Sequence, residues 1–283
     1  MRASGTLFVS QILKRMRGSS QPLLVRTSDR RLYVIKLLET AAGPNALFNE
    51  VAGTELYRLA GLLVPEWRPL VLPKAVLQLA AWSGLVDSNG PQNATICFGS
   101  HFLGQDGASI LEILPGTFHR RIVTPQVFWV SQVLDCCANH CDNRQALFRG
   151  RADCKLDVFF IDHGHMLGGP DGTRQAKAGA AAYLDSRIYP DLSRRNVISI
   201  VKMIASLPSR DLWKHANQLP TDWKTETGVQ NLKCCCSNLS DPQFLTDCLD
   251  KIAHSSKGRN FYENDADGLA IQRGGAFLHR GVQ

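Results

Sequence analysis

Two aspartates, Asp142 and Asp162, are the residues of this sequence best placed to do chemistry. Asp142 lies in the polar stretch Asn139–Gln145, and Asp162 follows the apolar run Val158–Ile161. Burying an unpaired carboxylate costs several kcal/mol, so an aspartate at the end of a buried strand requires a cation. A loop aspartate can orient a hydroxyl nucleophile and accept its proton, and a strand-end aspartate can bind Mg²⁺. This arrangement is typical of phosphotransferases.

A lysine and a glutamate in the first third of the chain carry complementary charges. Lys36 is the one charged residue of the apolar run Leu32–Leu37. A lysine there either extends its ammonium to a sheet edge or reaches a bound anion. Glu50 lies beside the apolar stripe of a predicted helix, where a carboxylate can hold a phosphate-binding lysine in place. Neither residue alone indicates a nucleotide site. A strand lysine more often extends to a sheet edge, most helical glutamates are solvated, and Glu55 lies on the same helix.

The elements that must position these residues change in character along the chain. The basic, acid-free start predicts an opening helix with Leu7, Ile12 and Leu13 inside, although an organelle transit peptide has the same composition. Asp29 lies in the turn of a predicted hairpin. The predicted strands are Leu23–Arg26, Leu32–Leu37, Thr95–Phe98, Ala146–Phe148 and Leu156–Ile161, and the predicted helices are Ala46–Ala60, a long helix from Thr124, Leu192–Leu207 and Phe244–Ala253.

This order of elements predicts an α+β fold with two lobes. Residues 1–102 would form a small lobe built on an antiparallel sheet and including the Glu50 helix. Residues 103–254 would form a larger helical lobe with the two aspartate loops. Residues 255–283 are rich in glycine and polar side chains, so we expect a flexible tail.

Composition narrows the class of protein. Of the 283 residues 44% are apolar and 20% charged, so the chain can bury a core and is expected to be globular. Its formal net charge of +7 favours anionic partners without choosing among them. The apolar uncharged stretches, such as residues 75–86 and 122–134, are about a dozen residues long, short of the roughly 18 apolar residues that span a bilayer. With no apolar signal-peptide core, we expect a protein of the reducing cytoplasm with free thiols, and no membrane partner.

Other binding chemistries have less support in the sequence. The nine cysteines include no CxxC pair, and the adjacent Cys234–Cys236 cannot easily converge on one zinc ion, although their oxidation stays open. The basic pairs Arg120–Arg121 and Arg194–Arg195 accompany neither an aromatic platform nor a helix-turn-helix pattern. We therefore expect no direct binding of nucleic acid.

Taken in order, the segments described above resemble the HipA-like kinase family, in particular its shorter bacterial members, which are distantly related to protein and phosphatidylinositol kinases. The resemblance covers roughly residues 7–200, and its specificity comes from the order of several short motifs. These motifs are Tyr33–Lys36, Asn49–Glu50, Phe98–Ser100, Asp142–Phe148 and Ile161–His165.

The resemblance implies a two-lobed kinase fold that transfers the γ-phosphate of ATP, with Mg²⁺, to a hydroxyl, expected to be a serine or threonine of a protein. Carried over by position, Lys36 would bind the ATP phosphates and Glu50 would be its ion-pair partner. Asp142 would be the catalytic base and Asp162 the metal ligand. An antitoxin-like partner protein is also open, because some HipA-type toxins act beside one.

Other positions follow from the same resemblance. Gly18, Ser19 and Ser20 would take the place of the loop that covers the phosphates, without the glycine spacing of ordinary protein kinases. Residues 98–102 would lie near the adenine. Leu147 replaces the asparagine that serves as a second metal ligand in related kinases, and its aliphatic side chain cannot coordinate Mg²⁺.

Three functions stay open, and the first two depend on this departure. In an active kinase, Gln145, favoured over Asn143, would supply the missing oxygen and contact the nucleotide. Without a substitute, the chain would be a nucleotide-binding pseudokinase with a regulatory role. Third, a metal-dependent hydrolase would use the Asp162–His165 cluster with His140 and Asp142, but it would leave the lysine and glutamate of the first lobe without a role.

Overall fold

A five-stranded antiparallel sheet forms most of the first part of the chain. The computed structural model describes residues 7–38, 43–86, 93–176 and 182–257. The sheet has the strand order β1–β2–β3–β5–β4. Its strands are β1 (Val9–Arg15), β2 (Leu23–Thr27), β3 (Leu32–Lys36), β4 (Trp67–Leu72) and β5 (Thr95–His101). The hairpin predicted around Asp29 is present as β2 and β3.

The predicted opening helix is wrong, because this segment is strand β1, paired with β2. Its register shifts between Val9 and Gln11 and again between Ile12 and Lys14. Each irregularity changes which side of the strand the next residue faces, so Val9 and Ile12 are both buried at a spacing of three. The bulged strand therefore reproduces the apolar spacing of a helix.

Strand β4 was not predicted, since three prolines mark this part of the chain as irregular. The strand lies at the edge of the sheet, where Pro69 is tolerated because an edge strand leaves some of its N–H groups unpaired. The short helix α2 (Lys74–Trp82) follows it and packs against β1.

The remaining elements are mostly helical. The predicted helices are confirmed with small shifts as α1 (Ala46–Leu59), α3 (Val127–Cys137), α4 (Arg194–Ala205) and α7 (Pro242–Lys257). The helices α5 (Ser209–Asn217) and α6 (Glu226–Leu239) were missed because their sequences are largely polar. A three-stranded antiparallel sheet joins β6 (Ile110–Leu111), β7 (Gln145–Gly150) and β8 (Leu156–Ile161).

The apolar residues form two clusters that correspond to a small and a large lobe. The smaller one lies between the five-stranded sheet and α2 and contains Val25, Ile35 and Leu70. The larger one joins α3, α6, α7 and the three-stranded sheet. Helix α1 buries Phe48 and Val51 in this larger cluster, although it follows β3 in the chain. Helix α1 is therefore packed in the larger core, and it places Glu50 in contact with Lys36 of the small sheet.

Helix α7 extends to Lys257, past the predicted start of the tail at residue 255. The rest of that predicted tail, residues 258–283, lies outside the described residues. Across the four described ranges, none of the helices combines the length and apolar character needed to cross a bilayer.

A pair of helical leucines tests the assignment of the larger core. Leu134 is fully buried in α3, whereas 66% of Leu79 in α2 is exposed. We expect Leu134→Ala to lower the free energy of unfolding by about 2–5 kcal/mol, because it leaves a cavity. The matched control Leu79→Ala should change it by no more than about 0.5 kcal/mol. Urea denaturation of both variants measures the difference, and equal effects would contradict the described core.

Candidate active site

An ammonium group between two carboxylates forms the centre of the site. Lys36 Nζ donates to Glu50 Oε1 and, at 2.6 Å, to Asp162 Oδ1. These residues come from the last position of β3, from α1 and from the position after β8. The structure therefore brings together three residues that the sequence placed in separate segments.

The charges in this cluster support one another. Burial alone would lower the pKa of Lys36, but the carboxylates of Glu50 and Asp162 raise it above its ordinary value. Burial also opposes ionisation of Asp162, yet the adjacent ammonium holds the pKa of this carboxyl well below its usual range. Burial raises the pKa of Glu50 despite the attraction of the lysine. The site thus keeps a charged lysine against a charged aspartate.

Helix α1 is fixed directly against the loop after β8. Glu50 accepts hydrogen bonds from the backbone N–H groups of His163, at 3.2 Å, and Gly164, at 2.9 Å. The amide nitrogen of Asn49 donates to the carbonyl oxygens of Gly164, Met166 and Gly169 at 2.7–3.0 Å. A Cβ atom on Gly53 would lie only 2.5 Å from the Cβ of His163, so the helix requires glycine there to approach this closely. These contacts set where Glu50 meets the lysine.

Asp162 has an unusual backbone and a second side-chain partner. Its φ angle of 60° lies in the left-handed region, which few residues other than glycine adopt, although aspartate tolerates it better than most. Gln145, the first residue of β7, donates from Nε2 to Asp162 Oδ2 at 2.7 Å. Leu147 lies two residues further along β7, opposite Phe159. Gln145 is therefore beside the aspartate, and Leu147 is not.

The loop that carries Asp142 is bonded to the loop after Asp162. Cys141 N donates to the carbonyl oxygen of His165 at 2.9 Å, and Leu167 N donates to that of Ala138 at 2.6 Å. Asp142 itself is half-buried and accepts a hydrogen bond from the backbone N–H of Asn143 at 2.7 Å. Both aspartates therefore lie on a single pair of hydrogen-bonded loops.

A buried arginine that the sequence analysis did not single out supports both loops. Arg144 makes a two-point ion pair with Asp135, at 2.9 and 2.5 Å, and donates to the carbonyl oxygen of Ile161 at 3.0 Å. Its guanidinium lies 5.0 Å from the ring centre of Tyr57, whose hydroxyl donates to Asp135 at 2.8 Å. No local pattern in the sequence marks this arginine as buried, since only the fold places an aspartate of α3 opposite it.

The histidines of this region do not form a metal cluster. His163 is buried with its ring 4.7 Å from that of Tyr57, and burial lowers its pKa well below the ordinary value. His140 is also buried, with its pKa lowered for the same reason. Over the part of the chain that the structure describes, no three His, Cys, Asp or Glu side chains are placed to hold a metal ion together. The hydrolase interpretation therefore lacks the metal cluster that it requires.

The two other predicted nucleotide contacts lie at the ends of the small sheet. Ser19 and Ser20 are in the β1–β2 connection, which is at the same end of the sheet as Lys36 because Leu23 pairs with Ile35. Residues 98–102 run through the end of β5, where Phe98 pairs with Lys36. The structure records no contact between the two serines and the lysine cluster, so their role stays a prediction.

The cysteine cluster of α6 is dispersed by the helix. Cys235 is buried, whereas Cys234 is exposed and Cys236 half-buried, and all three are free thiols. Successive residues of a helix point in different directions, so these sulfurs do not converge.

Comparison with known proteins identifies the architecture. No protein-family model matches the chain, and no curated protein matches it. The crystal structure of the Helicobacter pylori proinflammatory kinase CtkA is similar, with a TM-score of 0.51 over 88% of this chain and 96% of that one, at 10% identity. The chain has a kinase-like fold.

Two structures of the Golgi casein kinase are also similar, each at 10% identity. The one with Mn and ADP bound has a TM-score of 0.49 over 89% of this chain and 75% of that one. The other has a TM-score of 0.46 over 90% and 74%, respectively.

The buried ion pair beneath the site yields a stability prediction. Asp135→Asn should lower the free energy of unfolding by about 3–5 kcal/mol, because it leaves the Arg144 guanidinium buried and uncompensated. The surface pair of Asp171 and Arg174 offers a matched control, and Asp171→Asn should cost no more than about 1 kcal/mol.

The double variant Asp135→Leu, Arg144→Met removes both charges and should lose less stability than Asp135→Asn alone. Guanidinium denaturation of the three variants checks these expectations. A similar small loss for Asp135→Asn and Asp171→Asn would show that the buried pair does not hold the loops.

Proposed function

We propose that this protein is an ATP-dependent kinase that transfers the γ-phosphate to a hydroxyl, that of a serine or threonine of a protein, as its resemblance to HipA-like kinases suggests. The observation that carries the proposal is the Lys36 ammonium between Glu50 and Asp162, with the Asp142 loop bonded to the loop that follows Asp162. The similar Helicobacter pylori structure is named a kinase, which agrees with this reading.

In the proposed reaction, Lys36 binds the ATP phosphates and Glu50 keeps its ammonium in place. The lysine is mostly buried, so its charge acts where little water competes. Asp142 orients the acceptor hydroxyl and takes its proton as the phosphoryl group leaves ATP. Catalysis then comes from positioning and from stabilisation of charge, with no covalent intermediate on the enzyme.

The donor atoms beside the lysine fit magnesium. Asp162 supplies a charged carboxylate, and the Gln145 amide, whose N–H donates to that carboxylate, would turn its oxygen toward the ion; both are hard oxygen ligands of the kind that Mg²⁺ prefers. A site with one or two carboxylates is sufficient for this ion, which takes its other ligands from water and substrate phosphates. When bound, Mg²⁺ neutralises charge on the ATP phosphates. Gln145 donates to Asp162 Oδ2, and Lys36 donates to Oδ1 of the same carboxylate, so both side chains hold Asp162 in position.

A nucleotide-binding pseudokinase is the second candidate, and Leu147 favours it. This residue replaces a metal-binding asparagine of related kinases and lies within β7, away from Asp162. Under this interpretation the chain binds ATP and acts as a regulatory protein without transferring phosphate. The location of the protein in the cytoplasm and an antitoxin-like partner stay predictions under both candidates, as does the absence of nucleic-acid binding.

Substitution of the two aspartates tests phosphoryl transfer. Purified protein is incubated with γ-labelled ATP and Mg²⁺, first alone and then with cell lysate as a source of acceptors. Asp142→Asn should reduce labelling by about 10²–10⁴-fold, because it removes the proton acceptor, with ATP affinity by calorimetry largely unchanged. Asp162→Asn should also abolish labelling. Asp153→Asn, in the exposed β7–β8 turn, is the matched control.

Each outcome of this experiment separates the candidates. Near-normal labelling by Asp142→Asn would refute its role as base. Saturable ATP binding without label, even with lysate, would support the pseudokinase. The absence of ATP binding would overturn both.

Substitution of the lysine tests nucleotide binding separately. Lys36→Ala should weaken ATP binding by about 10- to 100-fold, since a charge-assisted hydrogen bond contributes about 1.5–3 kcal/mol. The exposed Lys155→Ala should bind ATP as the wild type does. Circular dichroism verifies folding, and isothermal titration measures the affinity. An unchanged affinity in folded Lys36→Ala would refute the phosphate-binding role.

A further inference from the structure

A cavity of about 160 Å³ opens beside the loop that carries Asp142. One wall is formed by Ile113, Leu114 and Pro115, and the other begins at Tyr183. Arg144 N, two residues after Asp142, donates to the carbonyl oxygen of residue 182 at 3.3 Å. The far wall of the cavity is therefore attached directly to the loop of the proposed catalytic base.

The second wall is held in shape by an ion pair. Asp185 accepts from the backbone N–H of Arg187 at 3.0 Å and from its guanidinium at 2.9 and 2.7 Å. His119 Nε2, from the 3-10 helix that begins at the lining residue Gly116, lies 3.5 Å from the same carboxylate. A Cβ atom on Gly116 would lie 3.0 Å from the guanidinium, so glycine makes room for it. The cavity is thus braced across its two walls.

The stretch that forms and follows the first wall of the cavity carries exposed apolar side chains and basic ones. Ile113 is 69% exposed, and Phe118 and Val123 in the same stretch are also exposed. The Arg121 guanidinium lies 5.1 Å from the centre of the Phe118 ring, and Arg120 beside it is exposed too. Single exposed apolar residues are common, but several of them in a stretch that begins at a cavity wall mark an interaction site.

We propose that this cavity is the docking site for an acidic substrate peptide, and that it takes one leucine or aromatic side chain near the phosphoacceptor. This inference rests on the proposed kinase function. The volume suits such an anchor, since a cavity of about 150 Å³ holds benzene. Exposed Arg120 and Arg121, which follow the cavity-lining Gly116 in the same 3-10 helix, and the net charge of +7 complement acidic residues around the anchor.

The hydrogen bond from Arg144 N to residue 182 also limits how far the anchor residue of the peptide lies from the acceptor hydroxyl. Asp142 and Arg144 are two residues apart, and adjacent paired strands lie about 5 Å apart. At about 3.3 Å per residue of extended peptide, the acceptor hydroxyl lies about three or four residues from the anchor. The specificity is therefore a short motif with a defined distance between its two elements.

Synthetic peptides test the proposal by two independent measurements. The probes are glutamate-rich peptides with one serine and one leucine, placed one to six residues apart on either side, and a matched series with alanine in place of leucine. Initial rates of transfer from labelled ATP give KM and kcat. Fluorescence anisotropy of labelled peptides measures binding whether or not phosphate is transferred.

We expect the leucine peptides with a separation of three or four residues to bind at least about tenfold more tightly than the alanine peptides. Ile113→Asp should remove this preference with the KM for ATP unchanged, because it places a charge at the apolar mouth without disturbing the core. Leu79→Asp, on the exposed face of α2, should retain the preference as a matched control. Arg120→Glu with Arg121→Glu should weaken binding of the acidic peptides.

Equal binding of leucine and alanine peptides, or a preference that survives Ile113→Asp, would overturn the docking site. Sedimentation that shows a dimer abolished by Ile113→Asp would assign the cavity to a second copy of the chain and also overturn it. Leucine-dependent binding without transfer of label would support the docking site while the kinase proposal failed. Transfer of label without a preference for leucine would support the kinase proposal and overturn the docking site.

Discussion

The site depends on one positive charge placed between two buried negative ones. Glu50 and Asp162 approach the same point from different elements, and two carboxylates so placed repel each other unless a cation lies between them. Lys36 supplies that cation from the end of β3. Removing one member of such a group leaves a charge buried without compensation, which is among the most destabilising changes a protein can undergo. The small sheet, α1 and β8 are therefore joined where the chemistry is proposed to occur.

Below this cluster, the buried ion pair of Asp135 and Arg144 joins α3 to the loop of Asp142 in the larger lobe. Arg144 reaches the carbonyl oxygen of Ile161 and so holds the residue just before Asp162. Helix α1 belongs to both arrangements, with Glu50 facing the lysine and Tyr57 beneath the guanidinium. The Asp135–Arg144 pair is fully buried and the lysine cluster mostly so, and small displacements there would cost much more than at the surface. These contacts hold the proposed catalytic residues rigidly, as a reaction that depends on positioning requires.

The same arginine contacts both the loop of the proposed base and the wall of the proposed docking cavity. Its side chain supports the loop that carries the proposed base, and its backbone N–H bonds to residue 182, at the start of one wall of the cavity. A peptide anchored between that wall and Ile113 would therefore be positioned by the same residue that positions Asp142. Acceptor specificity and catalysis would share one support in the larger lobe of the kinase-like fold.

The sequence by itself determined what depends on neighbours in the chain. The hairpin around Asp29, helix α1 and the strand that ends at Asp162 follow from turn chemistry and from apolar periodicity, which act over a few residues. The order of Lys36, Glu50, Asp142 and Asp162 also indicated the kind of chemistry. Local patterns were misleading at β1, where bulges reproduce the spacing of a helix. Only the tertiary structure decided that Gln145 meets Asp162, that Arg144 pairs with Asp135 and that His163 points inward, because each depends on a partner brought close by folding and not by the chain.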